Sequence, residues 1–183
     1  MAIDHTAALG EVGAVLDGID PAGMETACQM IANAGVVLLY GCGREGLQMQ
    51  GLAMRLYHLG LSAGMVGDMN AAPLGHGDLF VVSAGPGELS TVTALMEVAR
   101  RDGAKVLFLT AMPDAPAAAF ADHILIVPAQ TMASDQGANR SVLPMGSLYE
   151  GALFMLFEIM VLRLGQMLDV SPEAMRARHT NME

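Results

Sequence analysis

The order of short apolar segments and glycine turns constrains the fold more than any other feature of this sequence. Residues 36–40 (VVLLY) form an apolar run that ends at Gly41-Cys42-Gly43, and residues 78–83 (DLFVVS) end at Ala84-Gly85-Pro86-Gly87. Continuous apolar runs are typical of parallel strands that are buried on both faces. A glycine turn directly after such a strand lets the chain turn sharply into a helix. The sequence therefore predicts strand–helix–strand units.

The rest of the chain alternates in the same way. Apolar residues at helical spacing cover residues 6–33, with a break near Asp20-Pro21. The other segments are three strands over 63–67, 105–110 and 124–127, four helices over 44–59, 88–102, 115–121 and 143–168, and a helix start at 171–173. Ser90 or Glu88 is expected to act at the N-terminus of the helix over 88–102.

This alternation predicts an α/β fold of flavodoxin-like type, a three-layer sandwich with a central parallel five-stranded sheet. No repeat or low-complexity linker divides the 183 residues. We therefore expect one domain over 1–183, with N-terminal helices over 1–33 and a C-terminal tail over 171–183.

Charge and apolar content limit the partners of the chain. There are 9 Lys+Arg residues against 19 Asp+Glu, a net charge of −10, so no basic face is available for nucleic acid. Hydrophobic residues make up 53% of the chain and charged residues only 15%. So little charge predicts that part of the surface is covered by copies of the same chain.

The cysteines and the N-terminus indicate a cytoplasmic protein. Cys28 and Cys42 have neither the number nor the spacing of a disulfide framework or a zinc site, so no metal is expected. The N-terminus lacks the basic and apolar regions of a secretory signal. The most apolar stretch, 152–165, contains Glu158 and Arg163 and is shorter than the ~20 residues that span a bilayer, so we expect no membrane anchor.

Ligands of parallel α/β sheets bind beyond the carboxyl ends of the strands. This predicts a site at 41–46 and 83–91. Gly41, Gly43 and Gly46 have the spacing of a dinucleotide fingerprint, and Asp68 lies 22 residues past Gly46, where an acidic residue is expected. A simpler interpretation is that these glycines only allow a sharp turn.

One carboxylate stands out as a candidate base. Glu150 enters the apolar segment 152–157, where burial would raise its pKa and suit it to general-base chemistry. A solvated acid on the outer helix face fits the periodicity as well. Four histidines have no companion at ligand or catalytic spacing and are predicted to be surface or capping residues: His5, His58, His76 and His123.

Motifs along nearly the whole chain resemble those of the 6-phospho-3-hexuloisomerases, small sugar-isomerase-domain (SIS) proteins. The matching elements are, in order, Gly41-x-Gly43-Arg44-x-Gly46, Gly67-Asp68 with Pro73, Gly77-Asp78-Leu79, Leu143-Pro144-Met145-Gly146-Ser147-x-x-Glu150 and Arg178-His179-x-Asn181. The last two elements are the most specific ones, because other SIS proteins do not usually carry both.

The resemblance implies aldose–ketose type isomerisation of a sugar phosphate in a homotetramer (or dimer), without metal or organic cofactor. It implies that Glu150 moves a proton between adjacent carbons through an enediol. His179 would assist ring opening or proton transfer to oxygen in the site of a neighbouring subunit. The implied substrate-binding residues are Gly43, Arg44, Glu45, Ser83, Gly85, Gly87, Glu88, Ser90 and Thr91.

The phosphate cradle departs from the family pattern. Glu45 stands where the family usually has serine, and the hydroxyl-rich second turn is replaced at Ala84, Pro86 and Leu89. Pro86 also lacks a backbone N–H. We therefore expect weak binding of a phosphate dianion in the standard position. Two further hypotheses stay open: an isomerase of a sugar without phosphate, and a sugar-binding SIS module without turnover.

Overall fold

The computed structural model describes residues 5–137 and 140–182 and contains one parallel five-stranded sheet with the strand order β2-β1-β3-β4-β5. The strands are β1 (Val37–Gly41), β2 (Ala63–Met65), β3 (Leu79–Ser83), β4 (Lys105–Thr110) and β5 (His123–Ile126). The helices are α1 (His5–Asp17), α2 (Pro21–Ala32), α3 (Gly43–His58), α4 (Ser90–Arg101), α5 (Ser147–Met167) and α6 (Pro172–Ala177). A short 3-10 helix covers Pro116–Phe120.

Helices cover both faces of the sheet, as the sequence predicts. One apolar core joins the sheet to α1, α2, α3 and α5, and a second joins its other face to α4 and the 3-10 helix. The predicted α/β three-layer sandwich is confirmed. None of the described helices is both long and apolar enough to cross a membrane.

Two predicted helix starts are confirmed by their capping contacts. Asp20 accepts hydrogen bonds from the backbone N–H groups of Ala22 and Gly23 at the start of α2, and Pro21 occupies the first turn. Ser171 caps α6 in the same manner, by accepting from Ala174 N–H. The break between α1 and α2 and the start of α6 are therefore set by local sequence.

Two other helix starts differ from the prediction. Helix α4 begins after Leu89 without a side-chain cap, so neither Ser90 nor Glu88 caps it. Helix α5 begins at Ser147, four residues later than expected, because Met145 (φ 57°) and Gly146 (φ 76°) have left-handed backbone conformations. These two residues form a turn that redirects the chain before the helix.

The register of the sheet brings the two glycine turns together. Gly41 at the end of β1 pairs with Ser83 at the end of β3. The turns that follow these strands therefore lie side by side at the carboxyl edge of the sheet. This edge holds the candidate site.

Candidate active site

A cleft of about 410 Å³ lies above the carboxyl ends of β1 and β3. Its walls are the first turns of α3 and α5, Pro86 and Leu89 of the second glycine turn, and Thr131 and Met132 of the loop before α5. The cleft lies where parallel α/β sheets bind their ligands. It brings together four of the predicted site residues: Gly43, Arg44, Glu45 and Glu150.

Glu150 lies in the first turn of α5 and is half-buried. Its Oε2 atom lies 3.0 Å from Nη2 of Arg44, but no described donor makes a hydrogen bond to this oxygen. Burial raises the pKa of Glu150, the positive charge of Arg44 opposes that change, and the negative charge of Glu45 adds to it. Glu150 thus combines a raised pKa with a buried Oε2 atom that is ion-paired with Arg44 but accepts no hydrogen bond from a described residue.

Arg44 connects the starts of the two helices. Its guanidinium donates hydrogen bonds to the carbonyl oxygen of Met145 and, at 2.7 Å, to Oγ of Ser147. The left-handed turn at 145–146 presents these acceptors to the α3 terminus. A Cβ atom at Gly146 would lie 2.9 Å from the backbone nitrogen of Met132, so this turn fits against the neighbouring loop only with glycine. Arg44 is therefore fixed beside Glu150.

Glu45 is buried in the first turn of α3, and its side chain points to the second glycine turn. Both carboxylate oxygens lie 3.1 Å from the backbone N–H of Gly85, which donates to them, and Oε2 also accepts from the Ser83 hydroxyl. Burial raises the pKa of Glu45, against these hydrogen bonds, which favour the ionised form. The Glu45 carboxylate thus accepts the hydrogen bonds that the Ser83 hydroxyl and the Gly85 N–H could otherwise donate to a ligand.

Tyr149 extends this network beneath the cleft. Its hydroxyl lies 3.2 Å from Oγ of Ser83, and burial keeps its pKa far above the ordinary value, so it remains protonated. A Cβ atom at Gly85 would lie 2.9 Å from the Tyr149 ring. Glycine at this position lets the turn approach the ring closely enough for its N–H to reach Glu45.

The remaining predicted residues of the second turn lie outside the cleft. Gly87 packs against the side chains of Met112 and Ala115, whereas Glu88, Ser90 and Thr91 are solvent-exposed. Gly87 and Glu88 precede α4, and Ser90 and Thr91 are its first residues. The cleft is lined by Pro86 and Leu89 instead.

His179 lies at the opposite end of α3 from Glu150. Its ring stacks on His58, with ring centroids 5.3 Å apart, and Arg178 donates a hydrogen bond to the carbonyl oxygen of His58. The 16 residues of α3 separate the two ends by about 24 Å at 1.5 Å per residue. His179 therefore does not reach Glu150 of its own subunit. The prediction of His58 as a surface or capping residue is wrong, because it is buried beneath the tail.

Several cleft residues did not follow from the sequence reasoning. Thr131 and Met132 belong to a loop 18 or more residues before Glu150, and no motif connects them to it. Tyr149 precedes Glu150 within the motif, but only the packing of its ring under Gly85 reveals its role. Among residues 5–137 and 140–182, no three His, Cys, Asp or Glu side chains are grouped to hold a metal ion.

Comparison with known proteins agrees with this architecture. Residues 30–155 match the model of the SIS domain, the part of the chain that runs from α2 to the first half of α5. The chain belongs to the SIS domain family. This SIS protein is 35% identical over 173 residues to the 3-hexulose-6-phosphate isomerase of Mycobacterium gastri, covering 94% of this chain and 86% of the relative. It is 31% identical over 153 residues to the Bacillus subtilis protein of the same name, covering 84% and 83%.

Solved structures share the fold of the SIS protein. A Methanococcus jannaschii protein, for which a 3-hexulose-6-phosphate isomerase function was inferred, superposes with a TM-score of 0.79 at 20% identity, over 88% of this chain and 86% of that chain. At this identity the likeness concerns the fold. The resemblance read from the motifs is confirmed by the sequence relatives.

Proposed function

We propose that this SIS protein is a metal-independent sugar isomerase of the 3-hexulose-6-phosphate isomerase type, another name for 6-phospho-3-hexuloisomerase. The observation that carries the proposal is the state of Glu150: a half-buried carboxylate with a raised pKa, held by an ion pair with Arg44 and with Oε2 accepting no hydrogen bond from a described residue. A base for proton abstraction next to a carbonyl needs these properties near neutral pH. The names of the relatives support the same activity.

The proposed reaction moves one proton between neighbouring carbons. Glu150 removes the proton from the carbon next to the carbonyl, and the C–H electron pair forms the C=C bond of an enediol. The same carboxyl then returns the proton to the former carbonyl carbon. Arg44, with Nη2 at 3.0 Å from Oε2 of Glu150, favours the ionised form of the carboxylate and holds it in place before the first step.

Proton transfer between the two substrate oxygens needs a second group. We assign it to His179 of a neighbouring subunit, which also assists ring opening. The position of His179 at the far end of α3 supports an action between subunits rather than within one. The tail over 171–183 would then lie at a subunit boundary, and residue 183 lies outside the described part of the chain.

A homotetramer or dimer is part of this proposal. The outer faces of α3 and α5 expose large apolar side chains, among them Leu47 (62% exposed), Phe154 (55%) and Leu162 (70%). Large exposed apolar side chains on two helices are expected to be covered in a protein of low charge content. The free thiols of Cys28 and Cys42 fit the cytoplasmic setting that we propose for the assembly.

A substrate without phosphate is the second candidate, and a specific observation favours it. The Glu45 carboxylate accepts hydrogen bonds from both second-turn donors, the Ser83 hydroxyl and the Gly85 N–H. The first candidate requires a hexulose phosphate to bind in another position. The same base and the same enediol serve both substrates. A sugar-binding module without turnover has no use for a carboxylate of raised pKa at Glu150.

The test of the proposed function is exchange of a substrate proton with solvent. Fructose and fructose 6-phosphate are incubated with the protein in D₂O, and NMR follows the signal of the proton next to the carbonyl. Enzyme-dependent loss of that signal with either sugar is the expected result. If neither sugar shows exchange at concentrations that saturate the protein, the protein is not an enediol isomerase for these sugars.

A further inference from the structure

The second glycine turn is an anion-binding seat that this chain fills with its own side chain. The Gly85 N–H and the Ser83 hydroxyl both donate to the Glu45 carboxylate, and all three groups are buried. A backbone N–H and a hydroxyl directed at one point are typical of sites that bind phosphate or carboxylate. We define the anion seat as these two donors.

The surroundings hold Glu45 in this seat. It lies in the first turn of α3, where the helix dipole favours a negative charge. If Glu45 left, the buried Gly85 N–H would lose its acceptor, which carries a desolvation cost. A displaced carboxylate would also move within the cleft that contains Glu150, whose pKa is already raised by the Glu45 charge. The two donors of the anion seat therefore keep a hydrogen-bond acceptor as long as Glu45 stays in place.

The rest of the cleft offers little to a dianion. Arg44 is the single cationic side chain among the described lining residues, and its guanidinium is engaged with Met145, Ser147 and Glu150. The wall next to the seat consists of Pro86 and Leu89. Glu45 and Glu150 together leave the cleft with a net negative charge.

We propose that Glu45 is a specificity-determining residue: it acts as the internal anion of the seat, so that the sugar end reaching this part of the cleft is an uncharged, hydroxyl-bearing one. This inference rests on the proposed sugar-isomerase function and specifies its substrate class. A phosphate meets the Glu45 charge and finds the donors occupied. A sugar hydroxyl can instead donate a hydrogen bond to the carboxylate.

The test compares two sugars that differ only in charge. Affinities for fructose and for fructose 6-phosphate are measured by calorimetry on the wild type, Glu45→Gln and Glu45→Ser. Glutamine keeps the size of the side chain without its charge, and serine empties the seat. Glu97→Gln, an exposed carboxylate on α4, is the matched charge control. Circular dichroism establishes that each variant is folded, and one folded Glu45 variant suffices.

The wild type is expected to bind fructose 6-phosphate no more tightly than fructose. The folded Glu45 variant is expected to shift the affinity ratio toward the phosphate by about tenfold or more, corresponding to about 1.4 kcal/mol. Glu97→Gln should leave the ratio unchanged. The inference is overturned if the wild type prefers the phosphate, or if the ratio in the Glu45 variant moves by less than about threefold.

Inorganic phosphate gives a second readout that requires no sugar binding. A ³¹P NMR titration is expected to detect phosphate binding to Glu45→Ser but not to the wild type. Equal phosphate binding by both proteins overturns the inference. Failure of the proposed function would give a different result. The sugar proton would then not exchange with solvent, while the ratio of the affinities for fructose 6-phosphate and fructose would still change in the Glu45 variants.

Discussion

Two glutamates share the cleft, each in the first turn of a helix, and they are held in different ways. Glu45 on α3 has both oxygens occupied by the donors of the second glycine turn. Glu150 on α5 is ion-paired with Arg44, and its Oε2 atom accepts no hydrogen bond from any described residue. Burial raises the pKa of both groups. The comparison teaches that free acceptor capacity, rather than pKa alone, separates a candidate base from a carboxylate that binds within the protein.

Replacing the candidate base should have the largest effect. Glu150→Gln is expected to fold and assemble normally but to lose about 10²–10⁴-fold in turnover, the usual contribution of a general base. The measurement is loss of the proton signal in D₂O by NMR. Glu158→Gln is the matched control, because Glu158 is also on α5 and also pairs with an arginine of α3, at 3.1 Å from Arg55. Undiminished exchange in Glu150→Gln would remove Glu150 from the mechanism.

Variants of His179 test whether proton transfer needs a second group besides Glu150. His179→Gln, or deletion of 176–183, is expected to lower turnover by about 10²-fold, at the lower end of general acid–base contributions. Light scattering should show an almost unchanged oligomer mass. His5→Gln, at an exposed histidine, is the control. Full activity of the truncated protein would make His179 a bystander.

Arg44 forms an ion pair with Glu150 but not with Glu45, so its replacement should act mainly on Glu150. Arg44→Met removes the cation at 3.0 Å from Glu150, whereas the hydrogen bonds of Glu45 come from Ser83 and Gly85. At pH values below the shifted pKa of Glu150 we expect kcat/KM to fall by about tenfold, because losing an opposite charge this close typically changes the ionisation constant of a carboxyl by roughly tenfold or more. The acidic limb of the pH–rate profile should move to higher pH, because the ionised form of Glu150 is no longer favoured. An unchanged profile would contradict the role of Arg44.

The smallest expected effect is the change in the pKa of Glu150 when the charge of Glu45 is removed. A general base acts in its ionised form, so kcat/KM should rise as the pH passes through the pKa of Glu150, above the ordinary 4.5. Removing the Glu45 charge in Glu45→Gln lowers the pKa of Glu150, and the limb should move to lower pH. Glu97→Gln should leave it in place. A limb that moves to higher pH in Glu45→Gln would contradict the electrostatic coupling.

The sequence by itself determined the architecture and the location of the site. Apolar runs that end in glycine turns specify parallel strands, and their carboxyl ends mark the ligand edge, which the pairing of Gly41 with Ser83 then brings together. The cap at Asp20 and the start of α6 at Ser171 were also predictable, since they depend on side chains within three residues of the backbone that they cap.

Tertiary structure decided which way each carboxylate points. The sequence predicts that Glu45 repels an incoming phosphate, whereas in the fold its carboxylate takes the Gly85 N–H for itself. That contact joins residues 40 positions apart, so no local pattern encodes it. The distance between His179 and Glu150 likewise depends on the packing of the tail against His58 at the far end of α3. Helix periodicity leaves such long-range contacts open, because they depend on how separate elements pack.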